Sequence, residues 1–133
     1  MKNILITGAN SFIGTSVEAW LLRNKNEYKV DTVDTMNNAW KKADFTKYDV
    51  VFHVAGIAHV DPKPEMAPLY YKVNRALTVE IAKHAKASGV KQFVFMSSQI
   101  VYHASKSLEG TVIERCLRRL GWVVLGGGAG KWE

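Results

Sequence analysis

The chain has little with which to cross-link itself, cross a membrane or present a field of one charge. A single cysteine, Cys116, among 133 residues excludes an internal disulfide and suits a reducing compartment. It falls on the apolar stripe of a helical pattern, so it reads as a core residue rather than a nucleophile. No apolar run reaches the roughly 18 residues that a membrane helix requires, and no segment has the layout of a signal peptide. "NILITG" near the start is too short for either and opens a structural motif instead. These absences point to the cytoplasm and away from a membrane. Lys and Arg number 18 against 12 for Asp and Glu, a net charge of +6. The basic residues are nevertheless scattered or paired, as in Lys41-Lys42 and Arg118-Arg119. Without a dense basic tract the surplus assigns no nucleic-acid partner. Repeats and domain linkers are also missing, so residues 1–133 read as one domain of ordinary globular composition, 47% apolar and 23% charged.

Short β-rich runs alternate with helical patterns, the arrangement of a parallel α/β sheet. "NILIT" (3–7), "YKVDTV" (28–33), "DVVFHVA" (49–55) and "KQFVFMS" (91–97) read as four strands, and "WVVL" (122–125) as a fifth. From Phe12 to about Asn24, the residues Ile13, Val17, Trp20, Leu21 and Leu22 suit a helix covering the sheet. Met66, Tyr70, Val73, Leu77, Ile81 and Ala85 recur every three or four residues, and Gly89 stops the pattern. Leu108, Val112, Cys116 and Leu120 make a further stripe, weakened early by Gly110. Between the second and third strands, "TMNNAWKKADFTKY" shows no clear helical period. The tail from about residue 126, "GGGAGKWE", reads as flexible.

"ITGANSFIG" joins the first strand to the first helix. Gly8 and Gly14 hold the outer positions of a G-x-x-G-x-x-G spacing, with Ser11 where the middle glycine would stand. A pyrophosphate needs small residues here, because the backbone must turn sharply and come close. The helix N-terminus then offers free N–H groups and the positive end of its dipole. Gly8, Asn10, Ser11, Phe12, Ile13 and Gly14 are therefore cofactor-binding candidates. The Ser11 Cβ would crowd the ligand, or strain the turn if φ is positive there. Its hydroxyl would equally serve as a helix cap or a phosphate donor. Twenty residues beyond Gly14, Asp34 ends the second strand, where a carboxylate accepts hydrogen bonds from an adenosine ribose and repels a 2′-phosphate. That placement favours NAD over NADP.

Together these segments resemble the extended short-chain dehydrogenase/reductases, specifically the NAD-dependent nucleotide-sugar epimerases and dehydratases. The matching residues are "TGANSFIG" (7–14), Asp34, "ADF" (43–45), "VVFHVAGIAHV" (50–60), "VNRALTVEIAKHAKASGVKQFVFMSS" (73–98) and "VY" (101–102). The resemblance implies a doubly wound, Rossmann-like parallel sheet of about five strands in the order 3-2-1-4-5, lacking the C-terminal substrate domain. It places Asp44 and Phe45 beside the adenine, and Ala55 and Gly56 under the pyrophosphate and nicotinamide ribose. It makes Ser98, Tyr102 and Lys106 the catalytic candidates. His53 matches an inward strand position. With His59 and Asp61 it makes no credible metal site, because further ligands are missing at a sensible spacing.

In the family a pattern like "SSxxVYG" ends the serine strand, and a separate "YxxSK" opens a later helix. Here "SSQIVY" and "YHASKSLEG" share Tyr102, as though the loop between them were deleted. The family's tyrosine acts as general base or acid at a sugar hydroxyl, its phenolate stabilised by the lysine and the cationic nicotinamide. Only three residues separate Ser98 from Tyr102, so the helix carrying Lys106 would have to begin almost at once.

Two readings remain. In the first, the chain is the NAD-binding domain of a nucleotide-sugar epimerase/dehydratase-like enzyme, inactive alone and completed by a partner chain. In the second, it is a non-catalytic Rossmann module acting by self-association or partner binding. A homo-oligomer through the Met66–Ala85 and Leu108–Leu120 helices fits both.

Overall fold

The computed structural model describes residues 1–55 and 72–96. Four parallel strands form one sheet: β1 (Lys2–Thr7), β2 (Tyr28–Val33), β3 (Val50–His53) and β4 (Gln92–Phe95), in the order β2-β1-β3-β4. Register runs Ile4 opposite Val30 and Val50, and Val50 opposite Gln92. The doubly wound parallel architecture is the one expected. The strand order is not: 3-2-1-4-5 would put the third strand beyond β2, whereas β3 lies against β1 on the side away from β2. The burial of β3 explains this. Val51 and His53 on one face of β3 are fully buried, and its backbone is paired along both edges, by β1 and β4, whereas β2, with no fully buried residue, takes the edge. The crossover in residues 34–49 contains only a short 3₁₀ turn, Asn38–Lys42, and passes back over β1. The expected fifth strand lies outside the described residues.

Helix α1 (Phe12–Leu21) follows β1 and runs into a 3₁₀ turn, Leu22–Asn24. It packs on the sheet through Val17 and Leu21 against Ile4, Ile6, Tyr28 and Val30, with Gly14 also buried. These are the i, i+3 and i+7 positions of one helical stripe. Ile13 and Trp20, expected on that stripe, lie one residue off it and are 42% and 57% exposed. Leu22, also expected there, has left the α-helix and is 38% exposed.

The opposite face holds the larger cluster. Trp40, Phe45 and Tyr48 from the crossover pack with Leu5, Val51 and Phe93 of the sheet and with Ile81, Ala82 and Ala85 of α2 (Thr78–Ala87). A π-helical turn, Lys72–Leu77, leads into α2, and Gly89 at φ +80° ends it in the left-handed conformation expected of a helix stop. Met66, Tyr70 and the stripe containing Cys116 lie outside the described residues. Among the described residues no helix is long and apolar enough to cross a membrane.

Candidate dinucleotide-binding site

The sheet order fixes where a ligand can sit. From β1 the chain moves outward to β2, and from β3 it moves the other way to β4, so the direction of winding reverses between β1 and β3. The crevice beyond the carboxyl ends of strands at such a switch point is where open α/β sheets bind ligands. The β1–α1 turn occupies that place. Gly8 has φ +110°, and a Cβ there would lie 2.8 Å from the Ala55 nitrogen and 3.1 Å from its Cα. Glycine is required for the backbone angle and for the approach of the turn to the end of β3. The turn is tied down by Gly8 and Ala9, whose N–H groups donate to the Val33 carbonyl at 3.0 and 3.2 Å. The Val54 N–H donates to the Thr7 carbonyl at 3.0 Å.

Ser11 proves compatible with the turn. Its φ of −72° is ordinary for any residue, and the left-handed position falls one residue earlier, at Asn10, with φ 66°. The Ser11 Oγ accepts the Gly14 N–H at 3.0 Å, an N-cap. The cap closes one of the free donors of the first turn and leaves the Phe12 and Ile13 N–H groups without a helical acceptor. Both residues are exposed there, Phe12 at 86%. A Cβ on Gly14 would come within 3.1 Å of both the Gly8 carbonyl oxygen and Val54 Cγ2, so this second glycine lets α1 settle on the turn.

Asp34 follows the last residue of β2 and is exposed, its Oδ1 accepting the Met36 N–H at 2.8 Å. It thus stands at the same carboxyl edge as Gly8 and Ala55. Asp44 is exposed; the hydroxyl and backbone N–H of Thr46 both donate to it, which holds its carboxyl below the usual range. Phe45 is 1% exposed, its ring 4.5 Å from that of His84. Only its backbone is available to a ligand. Gly56, Ser98, Tyr102, Lys106, His59 and Asp61 lie outside the described residues. Among the described residues no group of acidic, histidine and cysteine side chains could hold a metal.

Beneath the turn runs a buried polar chain that the sequence did not disclose. Thr7 at the end of β1 and His53 at the end of β3 are register partners. Thr7 Oγ1 lies 2.6 Å from His53 Nδ1, and Thr78 Oγ1 of α2 lies 2.9 Å from Nε2. All three side chains are fully buried. Desolvation pushes the imidazole down to about 3, so the ring is neutral, with one nitrogen donating and the other accepting. Phe93 and Phe95 stack on it at 6.0 Å. The inward position of His53 was legible; its threonine partners required the register.

A glycine turn leading from a central parallel strand into a helix at a switch point defines a nucleotide-binding, doubly wound fold. The profile of the NAD dependent epimerase/dehydratase family matches residues 4–117, and the chain belongs to that family. UDP-glucose 4-epimerase of Vibrio cholerae is 36% identical over 117 residues, covering 73% of this chain and 35% of its own length. Human UDP-glucose 4-epimerase is 34% identical over 74 residues, covering 54% of this chain and 21% of its own length. Among solved structures, a UDP-galactose 4-epimerase aligns with a TM-score of 0.60 at 26% identity, over 80% of this chain and 42% of that one. MoeE5 in complex with UDP-glucose and NAD aligns with a TM-score of 0.65 at 23% identity, over 89% and 47%, a likeness of fold alone. The chain thus spans less than half the length of these relatives.

Proposed function

We propose that this chain binds NAD and forms the cofactor-binding portion of a nucleotide-sugar epimerase or dehydratase. The observation that carries the reading is the Gly8–Gly14 turn at the switch point, where the Ser11 cap leaves the Phe12 and Ile13 N–H groups for a pyrophosphate. Asp34 would accept the adenosine ribose hydroxyls and repel a 2′-phosphate, which favours NAD over NADP. Asp44 and the Phe45 backbone would lie at the adenine, and Ala55 and Gly56 beneath the pyrophosphate and nicotinamide ribose. Bound NAD supplies a reversible hydride acceptor. In the complete enzyme Tyr102 would take the proton of the sugar hydroxyl, with Lys106 holding its phenolate and Ser98 bridging it to the substrate, while the carbon would give up the hydride to NAD. The relatives' names, UDP-glucose 4-epimerases among them, support a nucleotide sugar as the substrate class. The 133 residues alone are expected to bind NAD without turning over a sugar.

Calorimetric titration with NAD⁺, with NADP⁺ as control, tests the reading. Micromolar binding of NAD⁺ with much weaker NADP⁺ is expected. No heat and no thermal stabilisation with either nucleotide would overturn it.

A further inference from the structure

The irregular crossover leaves β2 at the edge of the sheet among the described residues, with one side of its backbone open. The Lys2 N–H donates to the Glu27 carbonyl, and the Gly8 and Ala9 N–H groups to that of Val33. Backbone groups alternate along a strand, so residues 27, 29, 31 and 33 face β1, while Tyr28, Val30 and Thr32 present their N–H and C=O groups outward. An edge of this kind is a template for another strand.

The side chains specify which strand fits. Laid antiparallel against a second copy of itself about a twofold axis at Val30, β2 pairs Val30 with Val30 and Tyr28 with Thr32, all through outward backbone groups. Those three pairs exchange two hydrogen bonds each, about six in all. Between them fall the closely spaced pairs that do not exchange hydrogen bonds, Lys29 opposite Asp31 and Asp31 opposite Lys29. The symmetric register thus makes two ion pairs, and each charge meets one of opposite sign. Neither one-residue slip keeps this match, because each turns alternate side chains to the wrong face.

Both partners are free to meet. Lys29 is exposed and has no ion-pair partner among the described residues. Asp31 uses Oδ2 for the Tyr48 hydroxyl at 2.8 Å and for Lys47 at 4.0 Å, which leaves its Oδ1 unengaged. The layer above the sheet also has room. Helix α1 touches β1 and β2 together. With strands about 4.8 Å apart, two copies of α1 would lie roughly 10 Å apart across the axis, the spacing of packed helices. We propose that β2 is a self-association surface, pairing antiparallel with β2 of a second copy to make one sheet continuous through both chains.

Sedimentation equilibrium of the full chain, with three variants, decides the matter. Wild type should be a dimer that weakens with salt. Val30→Pro removes an outward N–H that no intramolecular ladder uses, so a monomer with unchanged circular dichroism is expected. Lys29→Asp faces Asp31 with a like charge, and dimer affinity should fall at least about tenfold. Lys29→Asp/Asp31→Lys reverses both charges and should restore association. A wild type that stays monomeric overturns the proposal and makes Lys29 a guard against edge pairing. A dimer indifferent to Val30→Pro and to Lys29→Asp overturns it in favour of another surface.

Discussion

A methyl group on Gly8 would stand 2.8 Å from the backbone nitrogen of Ala55, so the turn after β1 and the end of β3 are in contact with no side chain between them. That contact closes the floor of the crevice. Gly8→Ala combines it with a φ of +110°, a conformation that costs about 1–3 kcal/mol for a residue with a Cβ. The clash with main chain adds to this. Thermal unfolding should show a drop of at least that size, and NAD⁺ titration of the folded fraction should show no binding. A variant that binds with native affinity would contradict the assigned floor.

Ser11 separates capping from ligand contact. Ser11→Ala removes the Oγ that accepts the Gly14 N–H and should lower stability by about 1 kcal/mol, whereas Ser11→Gly should cost only a few tenths. Urea titration of the two variants measures the difference. Equal losses would mean that the hydroxyl does not act as a cap.

Asp34 is the predicted arbiter between cofactors. Asp34→Ala should weaken NAD⁺ by about tenfold through the loss of a charge-assisted hydrogen bond. It should also narrow the preference over NADP⁺, because the repulsion of a 2′-phosphate goes with the carboxylate. Parallel titrations with both nucleotides check the ratio.

His53 gives the fold an acid sensitivity. Its pKa is about 3 in the folded chain against 6.5 for an ordinary histidine, so between these values the unfolded state binds more protons. Stability therefore rises with pH across that window and falls as the solution is acidified from about 6.5. The slope contributed by this one group approaches about 1.4 kcal/mol per pH unit. Asp44 and Asp49 have pKa values lowered from 3.8, by hydrogen bonds from Thr46 and from Asn3 and Lys91 respectively. Their contribution is present above that value and is lost only at lower pH. Urea unfolding at pH 5 and pH 7 should therefore show a loss that His53→Gln largely abolishes. That variant also starts from a less stable chain, because the buried Thr7 hydroxyl loses its imidazole partner, at about 1–3 kcal/mol.

Local chemistry carried most of what the sequence disclosed. "NILIT" and "VVFH" are apolar runs too short for helices and bounded by turn residues, and both are buried strands. Gly89 stops α2 where the pattern ended. The glycine spacing marked the turn, but the left-handed angle fell on Asn10 rather than Ser11, a choice made by the local hydrogen bonds and not by the spacing. What the sequence hid depends on residues far apart along the chain. An apolar run says that a strand is buried without saying beside which neighbour, so the place of β3 between β1 and β4 is not legible in the sequence. The side of α1 that meets the sheet was blurred because Ile13 and Trp20 sit one residue from the true stripe. Thr7 and His53 are 46 residues apart and meet only through the β1–β3 register.

In the crossover of residues 34–49, three aromatic side chains stand where a covering helix would usually lie. Trp40, Phe45 and Tyr48 are 3%, 1% and 9% exposed and peg an otherwise irregular segment to the sheet. A helix spreads its grip over many small contacts and a backbone ladder of its own, so that losing one side chain leaves the rest in register. A pegged ribbon has no such redundancy. Each aromatic removed frees the stretch on either side of it, so damage here spreads along the chain.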